Sequence, residues 1–308
     1  MHVVVTGGCG FIGSHLADAL CARGEKVVIL DDLSTGSRSN APKSAEIIVG
    51  DVADAALVDS VAQGAKALFH LAAIASVQRC EEDRTSTART NIDGTEAVFA
   101  ATAAQKIPVI YASSAAVYGD NPALPLVETT TPTPLSAYGR DKLANEHTAH
   151  AAWEVSGVSS IGLRFFNVFG PRQDPKSPYS GVISIFAQAA ADGRGITYFG
   201  NGEQTRDFIF VGDIVKLLLA AHSQATGGAR IVNGCTGKAT SLVYLRETLA
   251  KLTGAALPCT HAPARAGDIQ HSLGCPQAAQ TLLGFTAATS LEEGLRALLA
   301  ELRGAHAA

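Results

Sequence analysis

Tyr138 and Lys142 stand four residues apart in Tyr138-Gly139-Arg140-Asp141-Lys142, a spacing that puts both side chains on one face of a helix. Their types suit acid–base chemistry at an alcohol. A phenol with its ordinary pKa of about 10 is a poor base near neutral pH, and bringing it close to 7 takes roughly 4 kcal/mol of differential stabilisation. A buried ammonium beside the phenolate, helped by a second positive charge, can supply that. An isolated Tyr-x-x-x-Lys pair also occurs on solvated helix faces, so the reading depends on what accompanies it. Ser114 does so, within Tyr111-Ala112-Ser113-Ser114-Ala115-Ala116-Val117-Tyr118-Gly119. That segment reads as the carboxyl end of a strand, where hydroxyls of an open α/β sheet reach a ligand cleft. Ser114 can hold the reacting oxygen and share its proton with Tyr138; the plain alternative is a serine capping a turn.

The second chemical signal lies at the other end of the chain. Thr6-Gly7-Gly8-Cys9-Gly10-Phe11-Ile12-Gly13 spaces Gly7, Gly10 and Gly13 as Gly-x-x-Gly-x-x-Gly, between a predicted strand and a predicted helix. A tight turn and a close approach of backbone to a pyrophosphate both call for residues without a Cβ. The helix that follows offers free N–H groups and a positive dipole end to that anion. Asp31 closes the next strand, where a carboxylate accepts hydrogen bonds from adenosine ribose hydroxyls and repels a 2′-phosphate. Asp32 beside it strengthens the preference for NAD over NADP. Asp51, in Val49-Gly50-Asp51-Val52, can bond the adenine amino group or serve as a turn residue. A bound nicotinamide ring would be the second positive charge that Tyr138 needs.

Elements must bring these residues together. Apolar, β-branched runs at 3–6, 26–31, 46–50, 67–71 and 108–112 read as buried strands, and 11–23, 54–62 and 91–105 as helices between them. A helix at 138–155 and a strand at 159–164 extend the alternation, which implies a parallel sheet covered on both faces. The expected fold is therefore α/β, a Rossmann doubly wound parallel sheet, with an NAD-binding domain over 1–170. From Gly170 onward prolines and glycines punctuate the chain. Helices return at 182–191, 212–223, 241–253, 276–283 and 290–303. Residues 171–308 are expected to form a smaller mixed lobe, with some chain crossing back to the first domain.

Composition narrows the function classes. Hydrophobic residues make up 47% of the 308 and charged ones 17%, which is globular. A net charge of −4 gives no basic surface for nucleic acid. No apolar run is long enough for a bilayer, and the N-terminal residues lead straight into a strand, so the protein is expected to be cytoplasmic. The six cysteines (Cys9, Cys21, Cys80, Cys235, Cys259 and Cys275) form no Cys-x-x-Cys pair, so no metal site is expected; Cys9 is set apart by lying inside the glycine loop.

With these pieces in place the chain resembles the extended short-chain dehydrogenase/reductase family, and within it the UDP-hexose 4-epimerases. The resemblance runs through TGGCGFIGSHL, LDDLSTGSRSN, SSAAVYG, YGRDK, LRFFNVFGPRQDP and FGNGEQTRDFIFVGDI. It implies that phenolate Tyr138, assisted by Ser114, takes the proton from the sugar 4-hydroxyl while the C4 hydride passes to a retained NAD. The 4-keto sugar turns over and takes hydride back on its opposite face. Leu71, Ala72 and Ala73 are implied to line the cofactor cleft, with Asn91, Ser113 and Phe166 near the nicotinamide. Asn167, Arg206 and Arg265 are implied to hold the UDP phosphates; guanidinium forks suit phosphate oxygens. Val182, Tyr198 and Phe199 would pack around uracil, and Ser76 and Val77 would approach the hexose. Ala115 and Ala116 stand where sugar dehydratases and decarboxylases of the family carry an acid or base, which favours epimerisation without elimination. In Arg265-Ala266-Gly267-Asp268-Ile269-Gln270-His271-Ser272 the family's pocket-limiting position falls on Ser272. Its small size implies room for a 2-acetamido group. The stretch from Gln173 to Ile183, with Tyr179 and Ser180, also resembles members acting on N-acetylated sugars. The family further implies a homodimer. Competing readings are a UDP-glucuronate 4-epimerase and a non-enzymatic NAD(H)-sensing protein of the same fold.

Overall fold

The computed structural model describes residues 1–174, 181–264 and 268–307. The chain opens with β1 (His2–Thr6), α1 (Phe11–Ala22), β2 (Val27–Asp31), β3 (Glu46–Val49), α2 (Ala55–Ala62) and β4 (Ala65–His70). Two short helices, α3 (Val77–Glu82) and α4 (Arg84–Ala88), and a π-helical turn (Arg89–Asp93) lead into α5 (Gly94–Ala103). Then come β5 (Val109–Ser114), α6 (Ala137–Ser156), β6 (Ser160–Phe165) and β7 (Asn167–Phe169). The remainder holds α7 (Val182–Ala191), β8 (Ile196–Phe199), β9 (Thr205–Phe210), α8 (Val211–Gln224), β10 (Ala229–Gly234), β11 (Ala239–Ser241) and α9 (Leu242–Thr253). It ends with β12 (Cys259–Ala262), α10 (Gln277–Leu283) and α11 (Leu291–Ala307).

Seven parallel strands form the main sheet in the order β10-β6-β5-β4-β1-β2-β3. Every residue of β2 and β6 is buried, as continuous apolar strands between two helical layers must be. The alternation gives way at β3, whose edge position leaves Glu46 and Val49 exposed. On one face Leu16 and Leu20 of α1, Leu217 and Leu218 of α8 and Leu283 of α10 share a core with β1, β5 and β6. On the other, Val58 of α2, Val98 and Phe99 of α5 and Ala149 of α6 do so. A third core joins Phe186 of α7, Leu245 and Leu249 of α9, and Leu298 and Leu299 of α11. β7, β9 and β11 make a three-stranded mixed sheet, and β8 pairs with β12.

Helix ends follow local chemistry. Asp54 caps α2 by accepting from the N–H groups of Ala56 and Leu57, Ser136 caps α6 by accepting from that of Gly139, and Gly157 closes α6 at φ 70°. The helix expected from Asn91 becomes α-helical only at Gly94, after the π-turn. The helices α3 and α4 and the strands β7 to β12 were not anticipated; all are three to six residues long, too short to show a period. β10 is the consequential one, because it leaves the glycine-rich second half and pairs with β6 in the main sheet.

The chain runs from β1 to β2 and β3 on one side, then returns to β4 on the other. The crevice beyond the carboxyl ends of β1 and β4 is the switch point where ligands of such sheets bind.

Candidate active site

At that crevice lies a cavity of about 250 Å³, walled by the glycine loop, the carboxyl ends of β2 and β4, and Phe165. Gly7 (φ 70°) could not be another residue, since a Cβ there would lie 2.7 Å from the backbone nitrogen of Ala72. A Cβ on Gly13 would lie 2.1 Å from the Gly7 carbonyl. Gly10, Phe11 and Ile12 complete this wall, so the amino end of α1 borders the cavity. Asp31, Asp32, Asp51 and Val52 line its far end, and Leu71, Ala72 and Ala73 its floor. Asp31 accepts from the N–H groups of Cys9 and Leu33, each at 2.8 Å; a carboxylate has lone pairs left for two ribose hydroxyls. Asp51 accepts from Arg89 at 3.0 Å and from the Ala53 N–H at 2.8 Å. A Cβ-free cradle at a helix amino end, with a carboxylate at the end of the second strand, fits a dinucleotide.

Thr6 and His70 brace the floor. Thr6 Oγ1 accepts from the N–H groups of Leu71 and Ala72, both at 3.2 Å, and lies 2.8 Å from His70 Nδ1. Thr95 Oγ1, 3.0 Å from His70 Nε2, donates to the Asn91 carbonyl at 2.8 Å. The donors therefore assign a neutral His70 with its proton on Nε2. Burial, and then the Lys142 charge, push this imidazole down to about 3.

A second cavity of about 480 Å³ lies on the other side of Phe165, which is on the walls of both. Tyr138 and Ser114 face it together with Ala115 and Ala116. Burial pushes the Tyr138 phenol up to about 12, and the Ser114 hydroxyl beside it lowers it by less than burial raises it. Lys142 lies 5.8 Å from the centre of the Tyr138 ring, donates to the Ala112 carbonyl at 2.8 Å and, being buried, is pulled down to about 8. The expected pair is thus assembled on one face of α6. The protein alone, however, does not ionise the phenol, because desolvation acts against both charged forms.

Other expected residues take different places. Asn91 lies beneath the cofactor wall instead of in it: its side chain accepts from the Ile74 N–H at 2.8 Å and donates to Asp141 at 3.2 Å. Ser113 points away from the cleft and donates to Glu146 at 2.5 Å. Phe166 lines the second cavity, not the first, alongside Asn167, Val77 and Ser272. Ser76 caps α3 by accepting from the Arg79 N–H at 3.0 Å. Arg206 and Asp268, paired at 2.8 Å, border both the second cavity and a third of about 110 Å³. Val182 and Phe199 line that third cavity. Tyr198 does not, because side chains alternate along β8; its ring is buried against Phe186 and His261. Arg265, Tyr179 and Ser180 fall outside the described residues. Sequence reading missed Phe165, whose only signal was its neighbour Phe166, and Leu126, Leu135 and Ser136, which sit in a loop without any pattern.

Behind Arg206, the Asp207 carboxylate accepts from the N–H groups of Thr236, Gly237 and Gly274 and from the Thr236 hydroxyl. This ties the segment carrying Ser272 to β9, where the Ser272 N–H also donates to Thr205 at 3.1 Å.

The model of the NAD dependent epimerase/dehydratase family matches residues 3–234. The chain belongs to that family. Among relatives of this family member, a UDP-glucose 4-epimerase of Mycolicibacterium smegmatis is 37% identical over 303 residues, 96% of each chain. A crystal structure of the UDP-glucose 4-epimerase of Thermotoga maritima with UDP-glucose has a TM-score of 0.95 at 32% identity, over 99% of this chain and 100% of that one. A UDP-N-acetylglucosamine 4-epimerase from Methanobrevibacter ruminantium, solved with UDP-N-acetylmuramic acid, has a TM-score of 0.94 at 35% identity, over 99% of this chain and 98% of that one. Among the described residues no helix of this epimerase-family chain is long and apolar enough to cross a membrane.

Proposed function

We propose that this chain is an NAD-dependent 4-epimerase of UDP-hexoses, acting on UDP-glucose/UDP-galactose and on their N-acetylated counterparts. One observation carries the reading: the Tyr138–Ser114 pair opens on a cavity that shares Phe165 with the dinucleotide groove and Arg206 with the third cavity. A nucleotide sugar laid along the last two would bring its hexose to the phenol.

NAD, when bound, supplies the positive ring that favours the phenolate and the hydride acceptor and donor at sugar C4. The protein's residues do the rest. Tyr138 takes and returns the proton of the 4-hydroxyl, and Ser114 holds that oxygen in place. Lys142 keeps a proton close to the phenol. Arg206 spends one nitrogen on the Thr205 carbonyl and one on Asp268, which leaves donors of its fork for phosphate oxygens. Val182 and Phe199 face the base. Ala115 and Ala116 offer no group for elimination at C5 and C6.

The charge of the pocket favours neutral sugars over uronic acids. Among the described residues, Arg206 and Asp268 are the charged side chains on the wall of the second cavity, and they neutralise each other. The size of Ser272 on that wall favours a 2-acetamido group.

The test is to mix the purified protein with UDP-glucose, UDP-N-acetylglucosamine or UDP-glucuronate, add no NAD, and follow the C4 epimer by NMR. Turnover of the first two and not the third is expected. Ser272→Tyr should cut turnover of the N-acetylated sugar at least tenfold and spare UDP-glucose. Equal N-acetyl turnover in that variant would sink the pocket argument, and a need for stoichiometric NAD would indicate a net dehydrogenase.

A further inference from the structure

We infer that Arg172 is a positioning residue that latches a strap, residues 34–40, over the adenosine end of the NAD groove and so slows NAD release. The inference rests on NAD occupying the first cavity. Ser34 and Thr35 of the strap line that cavity. Gly36 presses on the glycine loop so closely that a Cβ there would lie 2.8 Å from the Cys9 carbonyl carbon. Two donors of the strap, the Ser37 N–H at 3.0 Å and Asn40 Nδ2 at 3.1 Å, meet on the Cys9 carbonyl oxygen. The Cys9 N–H in turn donates to Asp31 Oδ2 at 2.8 Å. The strap therefore connects through the backbone of one residue, Cys9, to the carboxylate assigned to the ribose, and Cys9, fully buried, is its anchor.

Arg172 reaches this strap from a distant part of the chain. It follows β7, which pairs with β9, the strand that carries Arg206. Its Nη1 donates to the Asn40 carbonyl at 3.2 Å, and its Nη2 is paired with Asp18 of α1 at 2.7 Å. Its own N–H donates to Glu301 of α11 at 2.8 Å. The backbone at Arg172 is left-handed, φ 65°, a conformation that a non-glycine residue keeps only where its surroundings over-determine it. Next to it, His15 Nε2 of α1 donates to the Pro171 carbonyl at 2.9 Å. A single side chain thus ties the far end of the strap to α1 and to the strand pair of the substrate side. An enzyme that regenerates its NAD each turnover gains from such a latch, since the dinucleotide must outstay many sugars.

The experiment loads wild type and variants with NADH, chases with excess NAD, and follows the loss of bound-nucleotide fluorescence, with thermal melts run in parallel. Arg172→Ala should release NADH at least tenfold faster, and so should Asn40→Asp, which replaces the donor to Cys9 with a repelling oxygen. Because both act through one linkage, the double variant should be no faster than the faster single one. Asp18→Asn, a milder change at the surface, should accelerate release two- to fivefold. Release from folded Arg172→Ala within twofold of wild type overturns the latch, as does a double variant whose acceleration is the product of the singles. Should Arg172→Ala not fold, wild-type release from Asp18→Asn overturns it equally. Wild type that cannot be loaded at all would instead overturn the assignment of the groove to NAD.

Discussion

Burial shifts both Tyr138 and Lys142 against their charged forms: it raises the phenol to about 12 and lowers the ammonium to about 8, so near neutral pH the lysine keeps its proton and the phenol keeps its own. The site therefore stores an acid–base pair whose balance a positive ligand beside it can tip. Tyr138→Phe removes the proton carrier and little volume, so kcat should fall by about a hundred- to ten-thousandfold, the usual range for a lost general base. Isothermal titration should find UDP-sugar affinity within about threefold of wild type, because the contacts proposed for the diphosphate and base lie elsewhere. A variant that keeps a tenth of wild-type turnover would move the base to another residue. The Tyr138 and Lys142 pair was legible because its spacing is local, and Ser114 because it stands at the carboxyl end of a strand. Tyr198 and Phe199 show the limit. Adjacent aromatics on a strand face opposite ways, and sequence alone does not say which of them sees the cavity.

Element packing explains why Ser113 is turned from the cleft. Its hydroxyl donates to Glu146, one turn beyond Lys142 on α6, and Arg164 of β6 clamps the same carboxylate through Nε at 2.8 Å and Nη2 at 2.7 Å. Burial opposes the Arg164 charge, but Glu146 more than offsets it and holds the guanidinium above its ordinary range. Both side chains are almost wholly buried, at 4% and 6% exposure. Removing one partner strands a buried charge, so Arg164→Met should cost about 3–5 kcal/mol in urea unfolding. The pair Arg164→Met with Glu146→Met should recover most of that loss, since packed apolar side chains can replace a buried ion pair at little cost. If the double variant is as unstable as the single, the clamp is not what joins α6 to β6. The strands and helices that form this scaffold were read from their periodicity, within a few residues. The clamp was not, because its members lie 18 and 33 residues apart and no local pattern couples them.

At the scale of the whole molecule, the seven-stranded sheet depends on β10, which returns from the second half of the chain to pair with β6. Its two adjacent branched apolar residues, Ile231 and Val232, in a run flanked by Gly227-Gly228 and Gly234, gave periodicity little to work on. Global stability carries a pH signature from the other side of the same sheet. His70 links β1 through Thr6 to α5 through Thr95, and burial holds it at about 3 in the folded protein against about 6.5 in an unfolded chain. A folded-state pKa below the unfolded one means that the unfolded chain binds the extra proton. The contribution is therefore complete above pH 6.5 and is lost progressively as pH falls from there toward 3. One proton corresponds to a slope of about 1.4 kcal/mol per pH unit in that window. Carboxylates also titrate there, so the comparison is with His70→Gln, which keeps a donor near Thr95 and cannot protonate. Urea unfolding at pH 7, 6, 5 and 4.5 should show wild type losing stability more steeply than the variant, by about that slope below pH 6. Parallel curves for the two proteins would mean that this imidazole is already charged in the fold, and that the Thr6–His70–Thr95 chain does not run in the direction its donors assign.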